Sequence, residues 1–254
     1  MGPETLKLLL QVLGLLFGIP FLFTSIYFLK KGWDNYQRGQ KLANMDFTDI
    51  QNGVDETVLI GGKADPLEPG NHVHSPDSEG KALYTKFMVY QHRGDNWHHL
   101  KTFNHGVPFV IEDSSGRCKV EPGSVEDFAG EQQEVKTKHE KPAPENIRSY
   151  VQNQELQSDS DYELLNQDEL RMYRWETLKA GDQVKSLGQL QHNEGEGEPE
   201  FVMTDPGEDE SLIVTTLSKD EYARSGTCSL AFYLLMSLLF FVAGFVSCMT
   251  VFMV

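Results

Sequence analysis

The chain has 254 residues, 38 acidic against 22 basic side chains, and a formal charge of −16. That balance excludes a general nucleic-acid binder, which needs clustered Lys and Arg to neutralise phosphates. Three cysteines without CxxC spacing exclude a four-cysteine zinc finger and give no sign of an oxidising compartment.

Residues 1–7 form a short tail, and residues 8–29 are 22 positions without a charge. At 1.5 Å per residue this run covers about 33 Å, enough for a hydrocarbon core of roughly 30 Å. Pro20 predicts a mild kink, and the hydroxyls of Thr24 and Ser25 are tolerable because they can bond back to their own helix. Tyr27 and Trp33 fall where an interfacial belt belongs, and Lys30-Lys31 ends the run. A signal peptide is the alternative reading, but the apolar core is too long and no small-residue cleavage site follows. Residues 30–56 read as a juxtamembrane connector, with the helix continuing to about Asn44.

From residue 57 the texture changes to short runs rich in Val, Ile, Phe, Tyr and Thr, punctuated by Gly61-Gly62, Pro69-Gly70 and Asp113 to Gly116. This predicts a first β unit over 57–128. Tyr84 to His92 alternates poorly and reads as a strand buried on both sides. Phe109-Val-Ile and Cys118-Lys-Val120 are strand arms around Asp113-Ser-Ser-Gly116. Asp accepts bonds from its own downstream backbone and Gly turns without penalty, so the segment reads as a hairpin turn, against the alternative of a catalytic or anion loop.

Residues 129–165 are polar and read as a linker or a surface helix. A second β unit is predicted over 166–220, because the pattern repeats. Val58 to Ala64 is echoed by Val184 to Leu190, and the run from Phe109 by the run from Phe201 to Val214. A turn that occurs twice is expected of a structural unit rather than of a unique active site. The predicted class is therefore mainly β: two related β-barrel-like units between two transmembrane helices.

Residues 228–254 are 27 uncharged positions and predict a second span. Ala243, Gly244 and Ser247 form a small-residue patch at which another helix, or a second copy in an oligomer, can approach, although small residues are common in spans generally. Lys30, Lys31, Arg38, Lys41, Lys219 and Arg224 flank the spans on the side of the middle domain, and Lys7 alone on the other. The positive-inside rule then predicts a two-pass integral membrane protein with a cytoplasmic middle domain.

The candidates for chemistry are few. His92, His98, His99 and His105 are the weak candidates for a metal site, set against the commoner reading of histidines at strand ends or facing solvent. Cys118 reads as a small core residue, with Arg117 and Lys119 on the opposite face. No Ser-His-Asp or Cys-His set stands out, paired carboxylates are expected in so acidic a chain, and no cofactor is called for.

The ordered series Gly62, Ala64, Pro66, Ser75-Pro76, Tyr84, Trp97, Phe109, Asp113, Gly116, Val120, Glu176, Leu178, Gly181, Asp182 and Gly188 resembles the GIDE domain. This domain, also called BAM (beside a membrane), occurs in membrane-anchored E3 ubiquitin ligases of the MULAN type and in prokaryotic relatives. The resemblance spans roughly residues 57–215 and both flanking runs. It implies a β domain held beside a bilayer, with these positions as its structural motif. The ligases also carry a RING with two zincs, and these 254 residues contain no such ligand set. The expected function is a scaffold or sensor that binds another protein at the membrane surface. The alternatives are a ubiquitin-ligase-related protein acting with a partner, and a metal-dependent enzyme using the histidines.

Overall fold

A computed structural model describes residues 3–77, 81–137, 141–153, 170–193, 199–207 and 211–253. The chain divides into a helical unit, Met1–Met45 with Ser218–Val254, and a β body, Asp46–Leu217.

The β body contains strands β1 (Thr57–Pro66), β2 (Tyr84–Arg93), β3 (Asn96–Gly106), β4 (Phe109–Glu112), β5 (Arg117–Val120), β6 (Asp127–Ala129), β7 (Gln132–Lys136), β8 (Arg171–Leu178), β9 (Gln183–His192), β10 (Phe201–Thr204) and β11 (Ile213–Thr215). Five of them close a ring in the order β1–β4–β5–β10–β9 and back to β1. Every pairing in the ring is antiparallel except β5 with β10. This is a five-stranded Greek-key barrel of the OB type, and closure leaves its strands without a free edge. β11 pairs with β9 along the same edge as β10 and carries β6 beside it in parallel.

Alternating side chains of the ring strands fill the barrel: Val58, Ile60, Phe109, Ile111, Cys118, Val120, Val184, Leu190, Phe201 and Met203 are all buried. Each large apolar side chain so buried contributes about 1.5–3 kcal/mol. Two glycines permit the tight geometry. A Cβ on Gly62 would lie 2.4 Å from the Glu112 carbonyl oxygen, and one on Gly188 2.6 Å from Leu212 Cδ1.

The expected pair of barrel-like units is corrected to a single barrel that takes strands from both halves of the sequence. The repeat is nevertheless visible in the pairing. Val58 sits opposite Gly188 and Gly62 opposite Val184, so corresponding positions of the two copies exchange places about a local two-fold axis. The next strands obey the same relation: Lys63 pairs with Glu112 as Gln189 pairs with Thr204. An antiparallel ladder between two copies of one segment generates this symmetry whenever both copies use the same edge.

Insertions between ring strands build a second, four-stranded antiparallel sheet in the order β3-β2-β8-β7. The amphipathic helix α2 (Glu145–Asn153) covers one face, packing Ile147, Tyr150 and Val151, with Ala143 just ahead of it, against Phe87, Val89, Tyr173 and Trp175. Within 129–165, where a linker or a surface helix is expected, the described residues include β7 and the helix α2. Residues 138–140 and 154–165 of it lie outside the described set. The expectation that β2 is buried on both sides is also corrected: Phe87, Val89 and Gln91 are buried, while Lys86, Met88, Tyr90 and His92 are half-exposed on the other face.

The helical unit pairs α1 (Pro3–Asn44) with α3 (Lys219–Met253). The connector helix reaches Asn44 as expected, and α1 runs unbroken through Pro20. The contacts fall on a heptad: Gly18, Phe21, Ser25, Phe28, Gly32, Asn35 and Gly39 of α1 meet Cys248, Gly244, Phe240, Ser237, Tyr233, Ser229, Gly226 and Ala223 of α3 in antiparallel order. Small residues at every seventh position bring the backbones together, as in membrane helix pairs. Ser25 does not bond back to its own helix: its hydroxyl meets Ser237 Oγ at 3.0 Å, buried in the seam. Phe23, Ile26, Leu29, Phe232, Leu235, Leu238, Phe241 and Phe245 point outward. Among the described residues one segment, Lys219–Met249, is long and apolar enough to cross a membrane. The first expected span, 8–29, lies within α1, but most side chains before Gly18 are outside the described set.

Candidate binding face on the four-stranded sheet

The face of the second sheet away from α2 gathers half-exposed aromatic and charged side chains of the β body. β2 contributes Lys86, Met88, Tyr90 and His92, and β8 contributes Arg174 and Glu176 from directly opposite. β7 adds Glu134 and Lys136. β3 adds Trp97, His99, Thr102 and Asn104.

The β3 contribution depends on one irregularity. Val89 pairs with Lys101 but Tyr90 pairs with His99, so Leu100 is an extra residue in a β-bulge. A bulge shifts the alternation of every residue beyond it. Strict alternation from Thr102 would put Leu100 and His98 on this face. The bulge instead sends Leu100 toward the α2 core and brings His99 and Trp97 up beside Tyr90 and His92.

The result is a ladder of ring contacts. Tyr90 and His99 meet edge to face at 5.3 Å, and His92 and Trp97 at 5.0 Å. Arg174 lies 5.2 Å from the Tyr90 ring centre, and Lys136 lies 5.9 Å from that of Trp97. Glu134 holds both cations, accepting from Arg174 Nε at 2.6 Å and Lys136 Nζ at 2.9 Å. Bonds from Lys136 and Arg174 keep its carboxyl below the usual carboxylate range. At the end nearer the barrel, Lys86 Nζ donates to the Phe128 carbonyl at 3.0 Å, and Gly130 N–H donates to Glu176 at 3.3 Å. Burial raises the Glu176 carboxyl above its ordinary value, with Lys86 acting against the rise.

The four candidate metal ligands do not converge. His92 and His99 lie on this face, while His98 and His105 belong to the opposite one, across from Gln91 and Thr85. Among the described residues no group of three or more His, Cys, Asp or Glu is placed to hold a metal ion. Cys118 is fully buried in the barrel, and desolvation pushes its thiol up to about 12, which removes it as a nucleophile.

The motif positions resolve into backbone devices. Asp113 Oδ1 accepts from Ser115 N–H at 2.6 Å, the Ser115 hydroxyl at 2.7 Å and Gly116 N–H at 2.8 Å. Its Oδ2 accepts from Ile50 N–H at 3.1 Å, pinning the short 3-10 turn Ile50–Asn52 to the hairpin. Ala64 exchanges main-chain bonds with Gly181 and Asp182, and Gly181 adopts φ +93°, which its missing Cβ allows. Asp182 in turn accepts from Lys179 N–H. Ser75 Oγ meets Thr177 Oγ1 at 3.2 Å, and the Pro76 carbonyl accepts from Asn146 of α2. Phe109 pairs with Val120 across the hairpin. Asp77, beside this turn, forms a 3.0 Å ion pair with Lys179. Compared with family models, curated proteins and solved structures, the chain matches none.

Proposed function

We propose that this chain is a two-pass membrane protein in which α1 and α3 cross the bilayer as one antiparallel pair, tethering the β body as a protein-binding scaffold or sensor. One observation carries the reading. Most motif positions serve turns, the barrel interior and close backbone approaches, while half-exposed Tyr90, His92 and Trp97 with exposed His99 form an ordered aromatic face on an open sheet. Partly exposed aromatics held rigid by neighbours are the side chains on which protein interfaces most often depend. The outward apolar side chains of both helices and the glycine seam support a lipid-embedded pair. The basic residues at Lys30, Lys31, Arg38 and Lys41 favour the cytoplasmic side for the body.

The GIDE resemblance supplies a second reading, a binding module that works alongside a ubiquitin ligase. Its support is that Ala64, Gly181 and Asp182, distant members of the resembling series, bond to one another.

The experiment is crosslinking in native membranes from a photoreactive group placed at Asn104, followed by identification of the trapped species. A discrete protein, lost with Trp97→Ser, is the expected result. Turnover by the purified full chain, abolished by a single change within residues 57–215, would overturn the reading.

A further inference from the structure

The charge of the chain is inverted where its helices leave their apolar runs. Residues 24–45 carry Lys30, Lys31, Arg38 and Lys41 against one carboxylate, Asp34, in a chain of net charge −16. Cations here also differ from those of the β body in what they touch. Lys63, Lys119, Lys136, Arg148, Arg174 and Lys179 each reach a carboxylate. Lys30 and Arg38 of α1 and Arg224 of α3 make no ion pair among the described residues. Asp34 lies four residues from both Lys30 and Arg38 and bonds to neither. Lys31 is engaged, with its ammonium 5.7 Å from the Tyr233 ring centre and 6.0 Å from that of Tyr27.

The three unpaired cations fall at the level where a membrane surface belongs. Lys30 directly follows the uncharged run 8–29. Arg224 lies four residues outside the run 228–254, which is about 6 Å along the helix. A Cβ on Gly39 would lie 3.3 Å from Ala223 Cα, so their neighbours Arg38 and Arg224 share one level of the helix pair. The headgroup layer beside the hydrocarbon is roughly 5–8 Å deep. Exposed Tyr27 and Trp33 add the aromatic side chains typical of that layer. Lys30 is two residues from both Phe28 and Gly32 of the seam, so it projects away from α3, whereas Arg224 is exposed on α3 itself. The cations are thus spread around the pair rather than gathered in a cleft. Lipid headgroups, which surround a helix pair on every side, can meet all three, whereas one flat protein surface meets a single side.

We infer that the α1–α3 pair gathers anionic phospholipids of the leaflet from which the β body emerges, with Lys30, Arg38 and Arg224 as their counter-charges. The guanidinium groups of Arg38 and Arg224 suit the phosphate oxygens in particular, because their planar donors can engage two at once. Basic side chains close to an anionic leaflet are drawn to it, and the attraction fades within a screening length. This rests on the reading of α1 and α3 as a membrane-crossing pair and adds the class of lipid around it.

The full chain is reconstituted in phosphatidylcholine vesicles with a trace of spin-labelled phosphatidylserine or spin-labelled phosphatidylcholine, and electron spin resonance reads the fraction of each probe immobilised by the protein. Phosphatidylserine is expected to be held at least about threefold more strongly at low salt, with the preference falling toward parity in 1 M KCl, where screening acts over about 3 Å. The triple variant Lys30→Gln, Arg38→Gln, Arg224→Gln is expected to show parity at low salt, with the melting temperature of the β body unchanged. A control triple variant of paired cations, Lys63→Gln, Arg117→Gln, Arg148→Gln, is expected to keep the preference. Equal immobilisation of the two probes by the unaltered chain overturns the proposal, as does a preference indifferent to salt or retained by the first triple variant. So does loss of the preference when millimolar glycerophosphoserine is added, which would mark a site for a free anion instead of a lipid. The salt profile of the unaltered chain decides the matter even if the triple variant fails to insert. Carbonate washing separates the two readings. A chain that stays in the vesicles without preferring phosphatidylserine overturns this proposal alone, and a chain that washes out overturns the membrane-crossing reading with it.

Discussion

Ile60 on β1 lies directly opposite Ser186 on β9, each facing its own counterpart in the internal repeat. Both are fully buried, and the Ser186 hydroxyl has no hydrogen-bond partner. The first copy fills its axial position with an apolar side chain and the second with a polar one. An unsatisfied buried hydroxyl costs about 1–3 kcal/mol. Ser186→Ala is therefore expected to raise the melting temperature of the β body by several degrees, equivalent to about 1 kcal/mol. Calorimetry of the full chain in detergent checks this, and a drop in stability would refute the burial argument.

Asp113 anchors its own turn and a turn from outside the hairpin. Burial opposes its charge, but the bonds from Ser115, Ile50 and Gly116 outweigh that and hold the carboxyl below its ordinary value. Its contribution is present above the unfolded value near ~4 and disappears as pH falls through the lower folded value. Glu176 has the opposite sign: its raised value means that stability declines as pH climbs through it. Asp113→Asn should lower stability at neutral pH by about 2 kcal/mol and flatten the acid limb of the stability profile. Urea melts between pH 3 and 7 are the measurement, and a parallel downward shift at all pH values would contradict the assignment.

Gly62 has no room for a methyl group, because the Glu112 carbonyl would be only 2.4 Å away. Gly62→Ala must push β4 aside, at a cost of about 1–3 kcal/mol. Gly123→Ala, where nothing lies within 4 Å, is the matched control and is expected to be neutral. Equal melting temperatures for the two variants would remove the close-approach argument.

The seam of the helical unit predicts a chemical crosslink. In a chain with Cys228 and Cys248 replaced by serine, Ser25→Cys with Ser237→Cys is expected to form an intramolecular disulfide on mild oxidation in membranes, because the two hydroxyls meet at 3.0 Å. Gly32→Leu should abolish it, since a Cβ there would lie 2.7 Å from Tyr233 Cβ. Non-reducing gel mobility reads the result. A crosslink that persists in Gly32→Leu would show that the seam does not depend on small residues.

What could be read beforehand was local. The Asp113 turn was legible because its donors lie within three residues of the carboxylate, and Cys118 as a core residue because its strand alternates cleanly. The single barrel was not, because β1 closes it by pairing with a strand from the far copy of the repeat, and sequence similarity does not say whether two copies fold apart or together. The aromatic face was hidden by the bulge: from His98 and His99 alone, nothing indicates which one turns toward Tyr90. The seam is legible in the sequence by its period. Gly18, Ser25, Gly32 and Gly39 recur at intervals of seven, a period that apolar length alone does not reveal.

The ring of strands sets an order of events during synthesis. β1 emerges early, but its partner β9 and the final stave, β10, lie about half the chain further on. Until Thr204 has left the ribosome, Phe109, Ile111 and Val120 have no finished interior to enter. α3 follows within a few residues of β11, so the last strand of the body and the second long helix emerge nearly together. A ribosome stalled between the two copies would therefore hold β1, β4 and β5 without the two strands that complete their ring.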